Sequence, residues 1–76
     1  MKNLSDLSLN QKGVVLEVDA DEELRLRLFS FGIHEGSEFV VKNFSIKKDT
    51  IEIKSGKTLI ALRFDEAKKV KIKEIA

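Results

Sequence analysis

Along these 76 residues the apolar side chains recur at every second position through five short runs, and a single stretch between Asp19 and Gly32 breaks that rhythm. A period of two marks a half-buried strand, so the chain is expected to be mainly β with one short helix between strands 1 and 2. In the first run Val14, Leu16 and Val18 share a face, which is expected to point inward. From Phe39 and Val41 to Phe44 and Ile46 the parity changes, which predicts a bulge near Lys42 and Asn43. Ile51 and Ile53 oppose Glu52 and Lys54; Ile60, Leu62 and Phe64 share a face; Val70 and Ile72 lie between outward lysines. Turns are expected at 32–36, 47–49, 55–57 and 65–68, and Leu4, Leu7 and Leu9 are expected to tuck inward. Mostly antiparallel strands with a Gly at most corners suggest a small barrel of about five strands, whose closure would remove exposed edges. The chain is too short for a second domain, so residues 1–76 are read as one unit.

The interrupting stretch carries the site. Asp19 precedes Glu22 by three residues, a capping pattern, and Gly32 is a natural stop, so a helix is expected over 20–31. At about 100° per residue Leu24, Leu28 and Phe31 fall within about 60° of one another and form a core stripe. Leu26 and Phe29 lie on the far side, separated from that stripe by Arg25 on one flank and by Arg27 with Ser30 on the other. Either a small barrel wraps both stripes, or Leu26 and Phe29, with Ile33, form an exposed apolar patch flanked by Arg25 and Arg27. An apolar anchor with Arg at its margin suits a binding hot spot for a partner helix or loop, or for a second copy of the chain.

Other chemistries find little support. Fourteen Lys and Arg against 13 Asp and Glu give a net charge of +1, with no overall pull toward phosphate or anionic lipid. Lys47, Lys48, Lys54, Lys57, Lys68, Lys69, Lys71 and Lys73 raise the alternative of a basic-faced barrel that binds nucleic acid. Acids interleave those lysines, however, and there is no Trp or Tyr to stack on bases. Without Cys and with a single His, neither a thiolate nor a multi-histidine metal site can form. Asp19, Asp21, Glu22 and Glu23 are accounted for by helix capping and the macrodipole, and His34 beside Glu35 makes at most a two-ligand fragment. No resident metal or cofactor is therefore expected. No nucleophile, base and orienting group are recognisable together, and no phosphate-binding glycine loop occurs, so an enzyme is not expected. The longest purely aliphatic runs, such as Leu59 to Leu62, are far below the ~20 residues of a membrane span, and the first ten residues do not read as a signal peptide. The expected location is the cytoplasm.

The run Leu24-Arg25-Leu26-Arg27-Leu28-Phe29-Ser30-Phe31-Gly32-Ile33-His34-Glu35-Gly36 resembles the basic-and-apolar, LG, PG signature of the FeoA family of ferrous iron transport accessory proteins. Leu4-Ser5-Asp6-Leu7 with Lys12-Gly13-Val14-Val15 is similar to the family's opening, and Ile60-Ala61-Leu62-Arg63 with Glu66-Ala67 is similar to its closing strand. Glu35, Leu9-Asn10 and Thr50 stand where the family often has Pro or Pro-Gly; all three are turn positions, where loss of Pro loosens the turn without changing the buried faces. The resemblance implies an SH3-like barrel acting beside FeoB, the membrane protein that moves ferrous iron and carries a cytoplasmic GTPase domain.

Overall fold

The computed structural model describes residues 2–47 and 49–75. Six strands run β1 (Lys2–Asn3), β2 (Lys12–Val18), β3 (Glu38–Phe44), β4 (Thr50–Ser55), β5 (Thr58–Arg63) and β6 (Val70–Ile75). A 3-10 turn (Leu4–Asp6) follows β1, helix α1 (Glu22–Ser30) joins β2 to β3, and helix α2 (Phe64–Ala67) joins β5 to β6. All pairings are antiparallel, in the spatial order β1-β6-β2-β3-β4-β5. Three short elements, β1, the 3-10 turn and α2, thus add to the expected five strands and one helix. Among the described residues no ladder joins β5 to β1, so the sheet curls around its core without the expected closure.

The bulge expected near Lys42 is present, as the β3–β4 register shifts between Val41 and Asn43. A second bulge is unannounced by the apolar pattern. The β2–β6 register shifts between Val15 and Glu17, and Gly13 with Val15 takes the inward places. The expected inward set is corrected accordingly: Val15 is buried, Leu16 is exposed, and Val14 and Val18 are half-buried. An extra residue in one strand reverses the faces of the residues before it relative to those after it, which is why period two misassigned this run.

Ile51, Ile53, Ile60, Leu62, Val70 and Ile72 point inward as expected and form the core with Leu4, Leu7, Phe39 and Val41. Phe44 and Phe64 close its edge with ring centroids 6.0 Å apart. Leu9 is exposed, because it lies in the turn it shares with Asn10, whose φ is +69°. Ile46 is fully exposed, because β3 ends at Phe44 and Ser45 starts a turn. In that turn the Asp49 and Thr50 N–H groups donate to the Ser45 hydroxyl oxygen; Lys48, part of the expected turn, lies outside the described residues. The Lys2 ammonium, 2.6 Å from Glu74, fastens β1 to β6, and that hydrogen bond raises its pKa above the ordinary lysine value.

Candidate partner-binding site

Helix α1 begins two residues later than its capping pattern suggested. Asp21, not Asp19, is the N-cap: its carboxylate accepts the Leu24 N–H at 2.9 Å, while Glu22 and Glu23 sit in the first turn against the positive end of the dipole. Asp21→Ala should therefore lower stability by about 1 kcal/mol, read by urea titration, whereas Asp19→Ala should leave the midpoint nearly unchanged.

At the other end the Gly32 N–H donates to the Phe29 carbonyl at 2.9 Å and the Ile33 N–H to the Leu28 carbonyl at 2.8 Å. These two bonds, with Gly32 at φ +87°, are a Schellman cap, in which the residue after the glycine packs on the residue five before it. That arrangement corrects two expectations. Ile33, expected in the exposed patch, is 1% exposed and packs with Leu28 in the core. Phe31, expected in the core stripe, is the C-cap and is exposed, so Ile33 takes the inward place left to it.

Leu26 and Phe29 do lie outside, at 60% and 64% exposure. With Arg25 and Glu22 they form one wall of an open groove of about 560 Å³, whose remaining lining is Val18, Ile33, His34 and Glu35. The turn after α1 builds the facing wall. Ser37 Oγ donates to the Gly32 carbonyl at 2.8 Å and accepts the His34 N–H at 3.0 Å, which pins His34 beside the helix. The imidazole sits 5.5 Å from the Phe29 ring, and its Nδ1–H donates to the Glu35 carbonyl at 2.9 Å. Arg27 turns away to the opposite flank, where its guanidinium pairs with Glu66 at the start of α2. Of the five residues expected at the site, the structure therefore brings Arg25, Leu26 and Phe29 to one exposed surface, places Ile33 beneath them and removes Arg27.

The groove combines the apolar Val18, Leu26, Phe29 and Ile33 with Glu22, Arg25, His34 and Glu35, an arrangement suited to holding a side chain or short segment of another molecule. Among the described residues no three His, Asp or Glu side chains converge on a point where a metal ion could sit.

Residues 2–74 match the FeoA domain. The chain belongs to the FeoA family. A putative Fe(2+) transport protein A of Helicobacter pylori is 41% identical over 61 residues, 80% of each chain, and that of Campylobacter jejuni is 32% identical over 69 residues, 91% of this chain and 93% of the relative. Among solved FeoA structures, that of Chlorobium tepidum is similar at a TM-score of 0.94 and 28% identity, covering 99% of this chain and 71% of that one. The zinc-complexed FeoA of Stenotrophomonas maltophilia, described as an SH3 domain protein, is similar at a TM-score of 0.83 and 28% identity, covering 96% and 91%. The FeoA fold is thus the SH3-like one expected from the sequence. It also recurs in the manganese regulator SloR, at 11% identity and a TM-score of 0.83, where only the architecture is shared. FeoA-family membership places this chain among relatives named for Fe(2+) transport.

Proposed function

We propose that this chain is a cytoplasmic accessory of ferrous iron uptake that works without catalysis, through direct contact between the α1 groove and the cytoplasmic side of a FeoB-type transporter. The observation that carries this reading is the exposure of Leu26 and Phe29 on a helix whose other face buries Leu24 and Leu28. A helix that spends two of its four large apolar side chains on solvent, beside an Arg and above a groove, has the composition of an unoccupied hot spot. Relatives named for Fe(2+) transport support the pathway, and the description of the Stenotrophomonas maltophilia protein as a candidate activating factor for ferrous iron transport supports an accessory role. None of the described helices is long and apolar enough to cross a membrane, so the transport step is assigned to the partner.

The test is capture of the detergent-solubilised transporter by wild type and by Leu26→Glu, at low and high salt. Wild-type capture should survive high salt, because apolar burial is not screened. Leu26→Glu should stay folded and lose at least about thirtyfold in affinity, the equivalent of the ~2 kcal/mol that defines a hot spot. Absence of capture by the wild type at either salt would overturn the proposed contact.

A further inference from the structure

The outer edge of β5 carries a row of backbone groups that no strand among the described residues pairs with. The two-residue loop Gly56-Lys57 sets Ser55 opposite Thr58, and past the other end of the strand the Phe64 N–H donates to the Asp49 carbonyl at 3.0 Å. Both observations place the N–H and C=O groups of Thr58, Ile60 and Leu62 on the β4 side and those of Leu59, Ala61 and Arg63 on the open side. Arg63 is already provided for, since its N–H donates to Glu66 Oε1 at 3.0 Å. Both backbone groups of Leu59 and of Ala61 remain, and both residues are exposed.

This edge lacks the usual protections. Its register with β4 is continuous, without a bulge, and from Thr58 to Leu62 it has neither Pro nor a charged side chain. The opposite end of the same sheet shows the contrast: β1 is only two residues long and is locked by the Lys2–Glu74 ion pair.

We propose that β5 pairs antiparallel with β5 of a second copy, with Ile60 on the two-fold axis, so that two six-stranded sheets become one. Hydrogen bonding selects that register. It sets each Leu59 against the other copy's Ala61 and satisfies all four open groups on each side with four bonds. Moving the axis to Ala61 would set Leu59 against Arg63, whose N–H is taken by Glu66. Shape favours the same choice, because the exposed Leu59 lies over the other copy's small Ala61 and the mismatch in size is repeated by symmetry. Lys57 comes to lie near the other copy's Arg63, so like charges flank the ladder and added salt should strengthen the association. A single ladder buries less than the roughly 1,600 Å² of a standard interface, so the dimer is reversible and concentration-dependent. This surface is separate from the α1 groove, and the inference does not rest on the transporter contact.

The chain contains no Cys, so introduced thiols report on the register directly. In the proposed pairing Leu59 faces Ala61 at a Cα separation of about 5.5 Å, within disulfide reach, while like residues of the two copies lie beyond about 7 Å. A mixture of Leu59→Cys and Ala61→Cys chains under mild oxidation should give the mixed disulfide at least about tenfold faster than either variant gives its own. Sedimentation velocity of the wild type should show association that grows with concentration and with salt. Ala61→Pro removes only an outward N–H, as edge positions tolerate, and should remain monomeric throughout. A wild type that stays monomeric to millimolar concentration, or a mixture that links no faster than the separate variants, would overturn the proposal.

Discussion

Leu28→Ala should lower the free energy of unfolding by about 2–5 kcal/mol and the melting temperature by at least about 8 °C. Leu28 is fully buried, and it serves the fold twice. Its side chain seals α1 onto the sheet between Leu24 and Ile33, while its carbonyl accepts the Phe31 and Ile33 N–H groups that end the helix. Truncation leaves the backbone bonds in place but opens a cavity beneath the cap, where collapse is resisted by the rigid strands on the other side. A domain of this size has about 5–15 kcal/mol to lose, so the variant should approach the threshold of folding at physiological temperature. Leu26→Ala, two residues away and exposed, should stay within about 0.5 kcal/mol of wild type. Urea titration with matched m-values checks both; comparable losses in the two variants would show that the helix is not amphipathic in the way described.

The contrast between these two leucines was legible in the sequence because it depends only on the helical period. The same arithmetic grouped Leu26 and Phe29 on the far side with Arg25 at their flank, but left open whether the barrel covers that side; its exposure came from the structure. The strands beyond Phe39 were legible for a related reason, since Ile51, Ile53, Ile60 and Leu62 keep strict alternation between well-marked turns. Ile33 was misplaced although its signal was present. A Gly after a helix, followed by an aliphatic residue five positions beyond a core Leu, is the pattern of a Schellman cap, and it turns a residue that continues the outer stripe on a wheel into a core residue. Arg27 was different, because nothing local announces that α2 brings Glu66 to its flank, 39 residues later in the chain. Val15 and Leu16 exchanged places for a further reason: three consecutive apolar residues have no parity of their own, and the bulge opposite β6 decided it. The features set by period and caps are local, whereas those set by the second bulge and α2 depend on distant strands.

The exchange at Val15 also assigns Gly13 a place on the inner face of the curled sheet, where Gly13→Ala should destabilise by about 1–3 kcal/mol. At a site that tolerates a methyl group the same change stabilises by about 0.4–1 kcal/mol, through the lower entropy of the unfolded chain, so the sign alone is informative. Gly13 is not required here by backbone conformation, since its φ is not positive. It is required by proximity: a Cβ would lie 2.8 Å from Cζ of Phe39 and 3.2 Å from the Lys73 carbonyl oxygen. Phe39 faces Gly13 across the β2–β3 ladder and is 4% exposed, so its ring cannot swing aside without displacing the core. The added methyl group must therefore tilt the ring or part β2 from β6. Phe39→Leu removes the ring tip and separates these possibilities. If the ring is the main obstacle, the penalty of Gly13→Ala should shrink in the Phe39→Leu background, with a coupling of about 0.5–3 kcal/mol in a double-mutant cycle. An unchanged penalty would place the obstacle at the Lys73 carbonyl, on the other side of the same strand, and make the fit between β2 and β6 the feature that demands a glycine.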